Sequence, residues 1–245
     1  MNARSVGEPV RYTENTLLVW VDDTGHEELA NTHPVYGLGG CAVLGRHYDV
    51  AVVQPWRAVR LAVNGSADLP LHASKFGRGA TPEHLQVVER FFQTGGFMRF
   101  GCVAASTTTV AEPLTVMAAV IATLKARIAD IAKWSPFDSL ALIIEHSDRA
   151  NFLVAQHFGD FGMTVDGKAI PIERGFMPKS ANEPGLEVAD FVANAVGGQG
   201  RRMLVGNRKD FGADFCATFH SIDPRFASFT AINDVMIQQM APQPG

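Results

Sequence analysis

Residues 17–25 read LLVWVDDTG. From Leu17 to Val21 every position is apolar, odd and even alike, the pattern of a β-strand covered on both faces of a sheet. A strand without a wet face is predicted to be internal. The run ends in Asp22-Asp23-Thr24-Gly25, which reads as a turn. That puts Asp22 at the carboxyl end of a buried strand, where ligands of α/β sheets collect. The competing role, an Asx turn made with Thr24-Gly25, applies above all to Asp23.

Outward from this strand, Tyr36–Leu44 and Tyr48–Val53 read as the next two strands, with Gly45, Arg46 and His47 as a hairpin connection. Gly37, Gly39 and Gly40 count against a strand. Thr81-Pro82-Glu83 opens a helix whose apolar face is Leu85, Val88, Phe91 and Phe92, stopped by Gly95-Gly96. Residues 97–106 predict a strand, Pro113 to about Trp134 a helix, and Leu140–Glu145 a second buried strand. Asp148 is expected to cap a following helix, and residues 163–176 to give a weaker strand or strand pair. Pro184 starts a helix running to Gly197-Gly198. Three antiparallel strands followed by alternating helix and strand make a mixed sheet with helices on both faces. The expected organisation is a flexible segment, residues 1–15, and one domain, residues 16–245.

The 245 residues are 47% hydrophobic, within reach of one core. Cys41, Cys102 and Cys216 form neither a disulfide framework nor a Cys-x-x-Cys spacing, which favours a reducing, cytoplasmic setting. The N-terminal residues lack the apolar core of a signal peptide, and Leu114–Leu124 is too short to span a bilayer, so no membrane role is expected. With 21 Lys plus Arg against 25 Asp plus Glu the net charge is −4, which excludes the global basic footprint of a nonspecific nucleic-acid binder. A nucleic-acid surface would have to be local. Oligomeric state leaves no mark.

Glu145 terminates LALII as Asp22 terminates LLVWV, so on parallel neighbours the two carboxylates would lie side by side. Like charges held close call for a hard divalent cation with oxygen ligands, unless they are separate solvated acids. Asp190 lies in the largely buried helix GLEVADFVANAV and needs a partner there, with Glu187 one turn before it. His72, between apolar neighbours in LPLHASKF, suits a general base, a ligand, a phosphate contact or a hydrogen-bonded structural histidine. The other histidines show no His-x-x-x-His spacing, so zinc is not expected. Arg201, Arg202, Arg208 and Lys209 follow the Asp190 helix, as a nucleic-acid contact or a solvated helix-ending patch.

Taken together, VDDTG (residues 21–25), GLGGCAV (37–43), LHASKF (71–76), LIIE (142–145) and GLEVADFVANAVG (185–197) resemble the family called domain of unknown function 3800, grouped with ribonuclease H-like proteins. The family's Asp-Glu-Ser-Gly maps onto Asp22, Asp23, Thr24 and Gly25, keeping both acids and the hydroxyl. Its late Gly-Leu-Gln-Leu-Ala-Asp maps onto Gly185 to Asp190, with Glu187 in place of glutamine. Pro70 stands where a glutamate usually precedes His72, and Glu145 where an aspartate is common. The likeness spans roughly residues 15 to 200.

The resemblance implies a ribonuclease H-like fold and an acidic Mg2+ or Mn2+ site held by Asp22, Glu145 and Asp190, with Asp23, His72 and Glu187 as further candidates. In such enzymes carboxylates hold two ions that drive an in-line phosphodiester displacement. The function this implies is a metal-dependent nuclease or phosphodiester hydrolase acting on nucleic acid. The alternative is a non-catalytic nucleic-acid- or protein-binding module that keeps the fold. A haloacid dehalogenase-type phosphohydrolase also starts from a strand-end aspartate but needs an acid two residues later, where Thr24 stands.

Overall fold

The computed structural model describes residues 10–29, 32–106, 113–133, 136–146, 162–165, 167–205, 212–223 and 226–231. Their strands are β1 (Thr16–Gly25), β2 (Val35–Leu44), β3 (Met98–Ala105), β4 (Ser139–Glu145), β5 (Met163–Val165), β6 (Lys168–Ile170), β7 (Ile172–Met177) and β8 (Ala227–Ala231). The helices are α1 (Gly45–Tyr48), α2 (Gln54–Asn64), α3 (Ala73–Gly79), α4 (Pro82–Thr94), α5 (Pro113–Ala132), α6 (Pro184–Val205) and α7 (Gly212–Ile222), with a π-helical stretch, Asp49–Val53, joining the first two.

Six strands form one sheet in the order β7-β4-β1-β2-β3-β8, and β5 pairs with β6 apart from it. β2 runs antiparallel to β1 and β3, whereas β4 is parallel to β1, β7 to β4 and β8 to β3. The α/β class read from the sequence, a mixed sheet with helices on both faces, holds. β1 is internal, as its double-faced apolar run requires. Leu17, Val19 and Val21 enter one core with Val116, Val120 and Leu124 of α5. Leu18 and Trp20 enter the other with Trp56, Phe92 and Phe191. By the same alternation Asp22 belongs to the second side, under α6.

Two local expectations are corrected. Tyr48–Val53 is helical, not a strand, and there is no hairpin at Gly45–His47. Tyr48, Val52, Trp56 and Val59 are buried while Val50 is exposed, which is helical spacing, so the β-branched run there gives no pleat. The third antiparallel strand is Met98–Ala105 instead. Nor is Asp22–Gly25 a turn, because β1 continues through it, with Asp22 opposite Gly39 and Gly25 opposite Tyr36. The helix start at Thr81 is as read, with His84 N donating to Thr81 Oγ1 at 3.3 Å. The helix expected after Asp148 lies outside the described residues. Residues 163–177 give β5, β6 and β7.

α6 also runs past Gly197-Gly198 to Val205. Those glycines do not end it. Gly197 lets it lie on the sheet, since a Cβ there would overlap the Thr24 side chain, as one on Gly39 would the backbone of Ala193. Gly101 repeats this on β3, where a Cβ would stand 2.7 Å from Val196 Cγ2. Of the glycines that weaken β2 as a strand, Gly39 is thus the one that lets α6, and Asp190 with it, down onto the sheet. Gly39→Val is accordingly expected to cost at least about 1–3 kcal/mol by overpacking. Gly79→Ala, in open space, is expected to leave the urea midpoint unchanged or raise it. Equal midpoints for Gly39→Val and the parent would show that the helix does not rest on this glycine.

Candidate active site

β1 and β4 are paired up to Val21 opposite Ile144, so the next residues on the two parallel strands are Asp22 and Glu145. Asp22 is only 3% exposed, and its Oδ1 accepts the Asp23 backbone N–H at 2.8 Å. Asp190 comes from α6, seated on the same sheet by Gly39 and Ala193. Half-buried there, it is partnered by the Ala73 backbone N–H, 2.9 Å from Oδ2. On the far side of β4, Met177 of β7 lies opposite Glu145, and the 3-10 turn Lys179–Ala181 follows. Lys179 Nζ donates to Glu145 Oε1 at 3.1 Å.

The electrostatics follow from this convergence. Burial first, then the charges of Glu145 and Asp190, hold the Asp22 carboxyl well above the usual carboxylate range, with Lys179 opposing. Burial likewise raises Glu145, against the pull of Lys179, and Asp190 and Asp23 add to it. Burial disfavours the Lys179 ammonium, but Asp22, Asp190 and Glu145 outweigh it and raise its pKa. Three carboxylates therefore share one nearby lysine.

His72 precedes α3 and lines a small cavity with Glu145, Lys179 and Asp190. Its buried Nδ1 has no hydrogen-bond partner among the described residues. It also borders a second cavity of about 360 Å³, whose lining includes Lys75, Phe76 and His84. Asp23 is half-buried on β1, on the other side of the alternation, and its charge bears on Asp22 and Glu145.

Glu187 is not available to the cluster. Its carboxylate accepts from Trp56 Nε1 (2.8 Å), Arg60 Nε (3.1 Å), Arg60 Nη2 (2.6 Å) and Leu71 N (3.0 Å). Arg201 and Arg202 lie within α6, not beyond it. Eleven residues after Asp190, Arg201 is about 16 Å further along the helix axis, so neither arginine joins the carboxylates. Arg208 and Lys209 lie outside the described residues. Lys179 and Arg60 carry no sequence signal, because each meets its acid across a long stretch of chain.

As they stand, no three His, Cys, Asp or Glu side chains among the described residues are grouped to hold a metal ion. The donor set still matches a hard cation in kind, being carboxylates that repel one another, and Lys179 takes up part of it. Among the described residues no helix is long and apolar enough to cross a membrane.

No family model matches the chain, and no curated protein matches it. Among solved structures, a crystal structure of a mutant of Bst-RNase HIII aligns with 78% of this chain and 55% of that one, at 12% identity and a TM-score of 0.43. The chain thus spans about half the length of that protein.

Proposed function

We propose that residues 16–245 form a divalent-metal-dependent nuclease or phosphodiester hydrolase of ribonuclease H-like type, acting on nucleic acid and related to domain of unknown function 3800. The observation that carries this reading is Asp22, buried on an internal strand where its parallel neighbour β4 ends, and faced by two further carboxylates from separate elements. Asp22, Glu145 and Asp190 would hold magnesium or manganese, with Asp23 adding charge beside them. A bound ion supplies an activated water and stabilises the leaving oxygen.

The chain's own residues do the rest. The Asp23 and Ala73 backbone N–H groups fix the Asp22 and Asp190 carboxylates in orientation. His72 lines the cavity, and its buried Nδ1 has no hydrogen-bond partner among the described residues, which supports a role in holding a proton or contacting a phosphate. Cys41 and Cys102 are buried free thiols, which suits a cytoplasmic setting.

The test is cleavage of labelled single-stranded, duplex and hybrid oligonucleotides with Mg2+ or Mn2+, against chelator. Metal-dependent cleavage supports the reading. Binding without cleavage supports the alternative of a non-catalytic binding module, which the presence of Pro70 where the resembled family carries a glutamate favours.

For the substrate strand, a chain of net charge −4 must rely on local cations, and Arg201 and Arg202 are the described candidates. Their distance from Asp190 along α6 is one that a few nucleotides span. Replacing both with alanine is expected to weaken binding across sequences and to flatten the salt dependence, by about 0.7 to 0.9 in slope for each phosphate no longer neutralised. Base preference should hardly change. An unchanged slope in a fluorescence-anisotropy titration would assign both arginines to a solvated face.

A further inference from the structure

Lys179 is delivered to the strand ends by the chain path, since β7 runs beside β4 and the turn Lys179–Ala181 begins two residues after Met177. Its ammonium bonds Glu145 and borders the cavity that Asp190 and His72 also line. The two partners differ in one telling respect. The Lys179 side chain is 48% exposed and the Glu145 side chain 14%, so the lysine can withdraw into solvent while the acid cannot.

We infer that Lys179 is the resident counter-cation of the carboxylate site: its ammonium competes with a divalent ion for Glu145, leaves when the ion binds, and passes to a phosphate oxygen of the substrate strand. The inference rests on the metal-dependent reading above. An ammonium is a compact point charge with three donors and no acceptor, so it can neutralise a carboxylate but cannot help to ligate an ion. It is also repelled by a dication a few ångströms away. The site therefore has two arrangements, lysine in or ion in, and whatever favours one disfavours the other. An anionic phosphate that takes the released ammonium stabilises the second arrangement, so ion and substrate strand strengthen each other's binding by the same factor.

The experiment is a Mn2+ titration of the full chain followed by electron paramagnetic resonance, without nucleic acid, for the parent, Lys179→Gln, Lys179→Arg and Asp22→Asn. Lys179→Gln is expected to bind Mn2+ about tenfold more tightly, Lys179→Arg to stay near the parent, and Asp22→Asn to lose binding. Thermal melting gives a second readout, in which Lys179→Gln melts lower than the parent without ion and gains more from added Mn2+. Equal or weaker Mn2+ binding by Lys179→Gln, with Asp22→Asn still impaired, overturns the inference and leaves the metal site standing. Absence of binding by both the parent and Lys179→Gln overturns the metal-dependent reading itself, and the inference with it. Binding by Lys179→Gln alone supports the competition directly.

Discussion

Asp22→Asn is expected to reduce metal-dependent cleavage of nucleic acid on the order of a thousandfold or more, while the protein remains folded. The substitution keeps the volume of the side chain and removes its charge, and charge is what an ion at this position needs. Asp22 is also the member of the cluster least able to be replaced, because it alone is buried within the sheet and faces both other acids. Stability should move in the opposite direction from activity. Burial, Glu145 and Asp190 raise the Asp22 carboxyl above its usual range, so the folded chain holds that proton more readily than the unfolded chain. Its ionisation thus destabilises the fold increasingly as pH rises from the unfolded value of about 3.9, and the cost disappears below that value. At neutral pH without divalent ions, Asp22→Asn should therefore melt at or above the parent temperature, and the gap should close in acid. Initial rates on a labelled oligonucleotide and melting curves read both effects. Equal rates for parent and variant would trace the activity to another site or to a contaminant.

The parts of this site legible in the sequence are those that depend on one strand at a time. LLVWV and LALII each announce a covered strand, and the acid that ends each apolar run follows from periodicity alone; Glu145 does end its strand, whereas β1 continues past Asp22 to Gly25. Their side-by-side placement needs only a parallel pairing, which the register supplies. The helix Pro184–Val205 is legible by its proline and apolar face, but not in its length. Gly197-Gly198 has the composition of a stop, and only the sheet beneath shows that the helix needs small residues there. Tyr48–Val53 misleads for a related reason. Its β-branched residues fit a strand over a short window, and the helical period emerges only when Trp56 and Val59 are included.

The remaining features depend on residues distant in sequence. Lys179 meets Glu145 across 34 residues and Arg60 meets Glu187 across 127. A lone basic residue has no spacing to betray its partner, so composition marks it as surface. Glu187 shows the opposite error. Its position one turn before Asp190 suggests a supporting ligand and does put it on the same face, lining the same small cavity, but its carboxylate is taken up by Trp56, Arg60 and the Leu71 backbone.

That buried network makes Glu187 the residue whose loss should cost the fold most. Arg60 and Glu187 have side chains 4% and 7% exposed, and the Glu187 carboxylate accepts from Trp56, twice from Arg60, and from the Leu71 backbone. Arg60 Nη2 donates in addition to the Asn182 carbonyl at 2.7 Å. Glu187→Ala strips a buried guanidinium of its charge partner and leaves an indole and a backbone N–H unsatisfied, which is expected to cost about 3–5 kcal/mol in urea unfolding. Arg60→Ala should cost a similar amount by leaving the Glu187 carboxylate buried without its counter-charge. Glu187→Gln, the residue usual in the resembled family, keeps an acceptor and should fall between Glu187→Ala and the parent. The double replacement Arg60→Met with Glu187→Leu should destabilise less than either alanine variant, because it removes both charges together. The effect should also reach the site. Leu71 N is held by Glu187 and Ala73 N bonds Asp190, so His72 sits between two backbone groups anchored to the same helix. Freeing the first anchor loosens the segment that orients His72 and Asp190. Glu187→Ala should therefore lower cleavage in conditions where the protein is still folded, whereas the better-packed double variant should recover stability without recovering the full rate. A loss below about 1 kcal/mol for Glu187→Ala would mean that water replaces the pair at little cost, and the anchoring of His72 would then need another cause.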